Sequence, residues 1–67
     1  MAKKKQTLFV IIAGPHRACY IAQDASITMM KSNAVRFNSF ADAKEFAEKN
    51  HIALNARTYI GLEDFTD

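Results

Sequence analysis

A chain of 67 residues with a net charge of +2 is one small domain, and a domain of this size buries only about 60% of the surface that its unfolded form exposes. Its single cysteine excludes an intrachain disulfide, and its two histidines lie too far apart in sequence for a zinc-binding motif. The longest apolar run is too short for a transmembrane helix or a signal peptide, so we expect a cytoplasmic protein. The cysteine and histidine counts lead us to expect no metal, and we expect no other cofactor.

The first predicted element is a strand from Thr7 to Ala13, a continuous apolar run that is rich in β-branched residues. Residues 14–17 follow as a turn in which Pro15 fixes φ, and residues 18–22 again have the composition of a strand. These features predict a β-hairpin. Further along, residues 26–30 and 34–37 predict two short strand pieces with a kink between them.

The predicted helix runs from Phe40 to Lys49. Ser39 is a good N-cap, and Asp42 three residues later completes a capping box and places a negative charge near the positive end of the helix dipole. Asn50 suits the left-handed position that ends a helix. At about 100° per residue, one stripe of the helix is apolar and is expected to face the sheet: Phe40, Ala43, Phe46 and Ala47.

The last predicted strand covers residues 57–62, where apolar and polar side chains alternate. The predicted fold class is therefore α+β, with a small antiparallel sheet of three to four strands, one helix packed on one face, and the order β-β-(β)-(β)-α-β. Residues 7–62 form this domain, between a flexible basic tail at residues 1–6 and an acidic tail at residues 63–67.

The first strand is apolar on both of its sides, so both faces of the sheet require burial. A ten-residue helix is about 15 Å long and covers one face only. The second face is covered either by the chain's own side chains or by a partner, and exposed apolar patches usually mark interfaces. We therefore predict a non-catalytic protein-binding module, acting on another protein or as a homodimer, with these contact residues: Phe9, Val10, Tyr20, Met29, Met30 and Tyr59.

No group of residues indicates an active site, and we expect that the protein is not an enzyme. His16 and Arg17 occupy an exposed turn, without the glycine-rich loop that holds a phosphate. Cys19 lies within a strand, where a free cysteine usually acts as a small buried apolar side chain. His51 follows the helix, where a positive charge interacts favourably with the negative end of the helix dipole.

An alternative function is nucleic-acid binding through the basic tail and the arginines of the strands and turns. This alternative predicts an affinity for DNA or RNA that falls steeply with salt. The residues involved would be Lys3, Lys4, Lys5, Arg17, Arg36 and Arg57.

Residues 34–47 read AVRFNSFADAKEFA, a strand that ends in phenylalanine, a serine cap and a short helix with alanine and phenylalanine inward. This segment resembles a pattern of very small phage and mobile-element proteins. Many such proteins act by binding and blocking a host protein, including defence nucleases. The resemblance implies an inhibitor of a host protein, and it covers less than half of the chain.

Overall fold

A four-stranded antiparallel sheet carries one helix on one of its faces in the computed structural model, which describes residues 5–14, 16 and 18–66. The predicted α+β fold class and the order of its elements are confirmed. The strands lie in the order β3-β2-β1-β4 across the sheet. The elements are β1 Lys5–Ala13, β2 Cys19–Ile21, β3 Ile27–Thr28, α1 Phe40–Lys49 and β4 Thr58–Thr66, with a 3₁₀ turn at Lys31–Asn33. No helix in these ranges is both long and apolar enough to cross a membrane.

Helix α1 has the predicted bounds and the predicted cap. The Ser39 hydroxyl accepts a hydrogen bond from the backbone N–H of Asp42 at 3.2 Å, which satisfies one of the free donors at the start of the helix. The left-handed residue at the other end is His51, with a φ of 57°, whereas Asn50 has a φ of −102°. The prediction for Asn50 was therefore displaced by one residue.

The helix packs on the side of the sheet to which the odd-numbered residues of β1 point. Ile11 and Ala13 of β1, Ile21 of β2 and Ala47 of α1 form a buried cluster, which we call the first core. Ala43 is also buried, and Phe46 packs against the cluster. Phe40 was predicted to face the sheet as well, but it is 52% exposed, because the first residue of the helix lies beyond the first core.

The opposite face of the sheet is also covered, by the chain itself. Val10 and Ile12 are fully buried there, in a second core completed by Tyr20, Ala34 and Phe65. Ala34 belongs to residues 29–36, which we call the connecting segment. Of the two alternatives for this face, the structure shows cover by the chain's own side chains, because aromatic side chains of β2 and β4 and the connecting segment fold over it.

Strand β4 is longer than the sequence predicted, and residues 63–66 belong to it rather than to an acidic tail. The whole of β1 pairs with it, from Lys5 opposite Thr66 to Ala13 opposite Thr58. Two residues of the predicted basic tail, Lys5 and Gln6, likewise belong to β1, while residues 1–4 lie outside the described residues. The acidic end becomes a strand because Phe65 packs into the second core, which stabilises the last residue pairs between β1 and β4.

Residues 34–37 do not form the predicted strand. They touch the sheet through two isolated bridges, Ala22 with Ala34 and Phe9 with Phe37. Phe9 and Phe37 exchange two backbone hydrogen bonds of 3.0 and 2.9 Å. The bridges anchor the connecting segment at Ala34 and, just beyond its end, at Phe37, and this position lets it cover the second core.

Candidate functional site

The residues predicted to contact a partner divide into buried and exposed groups. Val10 is fully buried and Tyr20 is buried, so neither offers a surface to a partner. Tyr59 is half-buried and packs against the second core. Phe9 is also half-buried, whereas Met29 and Met30 remain 80% and 60% exposed. The prediction for Val10 and Tyr20 is corrected on this point, because both side chains fill the second core.

The most exposed apolar side chains lie at and just after β3, one edge of the sheet. Ile27 is 67% exposed, and with Met29 and Met30 it forms what we call the methionine segment, residues 27–30. None of the three belongs to either core. The backbone N–H of Met30 donates to the Thr28 hydroxyl at 3.2 Å, which fixes the turn that presents the two methionines.

A second exposed apolar surface lies on the helix side of the sheet, beyond the start of α1. Phe9 and Leu62 face each other across β1 and β4, and the Phe9 ring meets the Phe40 ring edge-on at 6.4 Å between centroids. We call these three residues the phenylalanine patch. Leu62 is 51% exposed and Phe40 52%.

Phe40 and Leu62 were not among the predicted contact residues, and the lengths of the elements explain their exposure. A nine-residue strand is about 30 Å long, whereas a ten-residue helix spans about 15 Å. A helix of that length leaves one end of the strand uncovered. The apolar side chains at that end then stay in contact with solvent.

An open groove of about 340 Å³ runs between α1 and residues 36–38. Its floor includes Phe37 and Phe46, whose rings are 5.3 Å apart between centroids and tilted by 55°. The remaining lining residues carry both signs of charge or are amides: Arg36, Asn38, Asp42, Glu45 and Lys49. Such a lining favours no single charge of ligand.

The described cations of the nucleic-acid alternative do not share a face. Lys5 forms an ion pair with Asp64 at 3.2 Å on the helix side of the sheet. The Arg36 guanidinium stacks on the Phe65 ring at 4.2 Å on the opposite side, and Arg57 lies exposed before β4. Lys3, Lys4 and Arg17 lie outside the described residues. Nucleic-acid binding stays a prediction, without a basic face to support it among the described residues.

Among the described residues, the pKa values of two carboxyl groups are shifted, and both groups belong to structural contacts. The pKa of Asp64 lies below its usual 3.8, chiefly because the Thr7 hydroxyl donates to its carboxylate at 2.8 Å, with Lys5 nearby. The pKa of Asp24 is lowered in the same way by the Ser26 hydroxyl and by the Ser26 backbone N–H. These hydrogen bonds fix the end of the β1–β4 ladder and the turn between β2 and β3.

The residues considered for chemistry lie apart from one another. His16 is exposed in the turn after β1, Cys19 packs against the first core, and His51 is exposed after α1. Within residues 5–14, 16 and 18–66, no three His, Cys, Asp or Glu side chains form a group that could hold a metal ion.

Comparison with protein-family models, curated proteins and solved structures finds no match to this chain. The resemblance of residues 34–47 to small phage and mobile-element proteins therefore stays a prediction.

Proposed function

We propose that the protein is a non-catalytic module that binds another protein through its methionine segment. The observation that carries this proposal is the exposure of Ile27, Met29 and Met30, three large apolar side chains that lie outside both cores. The three are neighbours in sequence, and a group of exposed apolar side chains often marks an interaction surface. Met29 and Met30 are also among the contact residues that the sequence predicts.

The chemistry of methionine suits such a role. Its unbranched, polarizable side chain adapts to the shape of a partner and is common on binding surfaces. Since the turn at Thr28 and Met30 holds the backbone in place, only the side chains need to adjust on binding. Less conformational freedom is then lost when the complex forms.

The methionine segment is preferred to the phenylalanine patch for one reason. Phe9 and Phe40 already cover part of each other through their ring contact, and Phe9 is half-buried. Met29 has no such cover and is 80% exposed. A partner therefore removes more apolar surface from water at the methionine segment, and this removal is the main favourable term in association.

The test is site-specific photocrosslinking in the cells that make the protein. A photoreactive amino acid at position 30 is expected to attach one heterologous protein, whereas the same amino acid at exposed position 48 on α1 is not. The substitutions Met29→Lys and Met30→Lys should abolish co-purification of that protein without changing the melting temperature, since both side chains are exposed. Equal adducts at positions 30 and 48, or none at position 30, would contradict the proposal.

The resemblance of residues 34–47 adds a finer proposal, that binding blocks the activity of a host protein. The protein attached at position 30 is then assayed with and without an excess of this chain. Inhibition that is lost in the Met29→Lys, Met30→Lys variant supports this proposal. Unchanged activity of the saturated complex limits the function to binding.

A further inference from the structure

Strand β4 is the last strand on its side of the sheet, and its outer edge is nine residues long. Such an edge presents backbone N–H and C=O groups that can pair with another strand. A second copy of β4 is the partner most readily available, because two identical strands can always meet in the antiparallel direction. A protein with this edge needs a means of preventing such pairing.

The hydrogen bonds of the sheet show which groups of β4 point outward. The Phe9 N–H donates to the Phe37 carbonyl, and the Phe9 carbonyl accepts from the Phe37 N–H. Both backbone groups of Phe9 therefore point away from β4, so the pair of Phe9 and Leu62 across β1 and β4 is not hydrogen-bonded. The Gly14 N–H donates to the Arg57 carbonyl at 2.8 Å, in agreement with the same alternation. It follows that a fixed set of residues directs its backbone groups away from β1: Thr58, Ile60, Leu62, Asp64 and Thr66.

Two of the contacts among the described residues place side chains and loops of the same chain on this edge. At its start, the Asn55 N–H donates to the Thr58 carbonyl at 2.7 Å, and the Thr58 N–H donates to the Asn55 side-chain oxygen at 3.1 Å. Towards its end, the Lys31 ammonium donates to the Asp64 carbonyl at 2.7 Å. The Lys31 nitrogen also lies 5.3 Å from the centre of the Phe65 ring, which holds it over this end of the strand.

We infer that Lys31 and Asn55 close the outer edge of β4 against pairing with a second copy of this chain. A strand that pairs with β4 along most of its length competes with Asn55 for the backbone groups of Thr58 and with Lys31 for the Asp64 carbonyl. Lys31 is the stronger of the two barriers, since its donor is charged and a hydrogen bond from a charged donor is stronger than one between neutral groups. A lysine that approaches an edge strand also opposes pairing by requiring desolvation of its charge.

The test compares Lys31→Met with Lys44→Met by sedimentation equilibrium over a range of concentrations. Both variants lose one positive charge and gain the same side chain, but Lys44 is exposed on α1 and makes none of the described contacts with the outer edge of β4. The wild type and Lys44→Met should remain monomeric. Lys31→Met should associate at least about tenfold more tightly than the wild type, because pairing no longer breaks a charged hydrogen bond.

Hydrogen exchange then locates the contact in the associated species. The outward N–H groups of Ile60 and Asp64 should exchange more slowly in Lys31→Met at high concentration than at low concentration.

Two further variants complete the test. Lys31→Gln replaces Lys31→Met if circular dichroism shows that the methionine variant is unfolded. Lys31→Arg, which keeps a charged donor, should remain monomeric. Three results would overturn the inference: a monomeric Lys31→Met, association without protection at Ile60 and Asp64, or a wild type that already dimerises through β4.

Discussion

Ala25 occupies the left-handed region of the backbone, with a φ of 69°, in the turn between β2 and β3. The Ala25 N–H donates to the Ala22 carbonyl at 2.9 Å, and the Ala22 N–H donates to the Ser26 carbonyl at 2.7 Å. The Asp24 carboxylate accepts from the Ser26 N–H at 3.1 Å and fixes the turn further. These bonds hold Ala25 in the left-handed conformation, which costs about 1 kcal/mol for a residue that has a Cβ atom.

Replacing Ala25 with glycine should therefore stabilise the protein. Glycine adopts a positive φ without the steric cost, so we expect Ala25→Gly to raise the free energy of unfolding by about 0.5–1 kcal/mol. The matched control is Ala41→Gly in the exposed part of α1, which should lower the same quantity by about 1 kcal/mol. Urea unfolding of both variants measures the two effects. A loss of stability in Ala25→Gly would show that the turn is not strained in solution.

At the scale of elements, the helix could be predicted from the sequence because its signals are local. The cap at Ser39 and the spacing of Ala43 and Ala47 depend only on neighbouring residues, and the structure confirms the bounds of α1. The hairpin of β1 and β2 is likewise local.

The cover of the second face could not be predicted in this way, because it is assembled from distant parts of the chain. Ala34 is the one residue of the connecting segment in the second core, so the segment shows no periodic apolar pattern that would indicate burial. Phe65 lies among acidic residues, which gave its surroundings the appearance of a tail. Two cations, Lys31 and Arg36, approach its ring from the connecting segment, and no local sequence rule predicts that contact.

The candidate site was predictable in part for the same reason. Met29 and Met30 belong to the predicted strand piece at residues 26–30 and were predicted as contact residues, and the structure leaves both exposed. Val10 and Phe9 looked equivalent as apolar residues of one strand, but only the packing of the second core decides which is buried. The exposure of Leu62 could not be predicted, because it depends on where α1 lies along β4.

Two isoleucines, one in β1 and one in β3, offer a direct test of the second core. Ile12 is fully buried and Ile27 is 67% exposed, although both are isoleucines in strands. We expect Ile12→Val to lower the free energy of unfolding by about 0.5–1.5 kcal/mol, because a buried methylene is lost. Ile27→Val should change it by less than about 0.5 kcal/mol.

Urea unfolding of the two valine variants at the same protein concentration makes the comparison. A loss in Ile12→Val that is no larger than the loss in Ile27→Val would mean that the second face is open in the isolated protein. The apolar face of β1 would then return as a candidate interface.

At the scale of the whole molecule, the two cores share a single strand. Val10, Ile11 and Ile12 are consecutive and fully buried, and they point alternately into the second, first and second cores. Helix α1 rests on the first core only, through Ala47 and the packing of Phe46. The aromatic side chains Tyr20 and Tyr59 lie on the second core. Neither core can persist without β1, because each loses its floor when that strand leaves the sheet.

This arrangement predicts that both cores unfold in one transition, as is usual for a small single domain. The chain has two tyrosines and no tryptophan, so tyrosine fluorescence reports on the second core, while circular dichroism at the helix band reports on α1. The two probes should give the same urea midpoint in the wild type. In Ile12→Val both midpoints should fall by the same amount, although the substitution touches only the second core. A fluorescence midpoint that falls while the helix midpoint stays constant would show that the second core opens separately, with α1 still packed on β1.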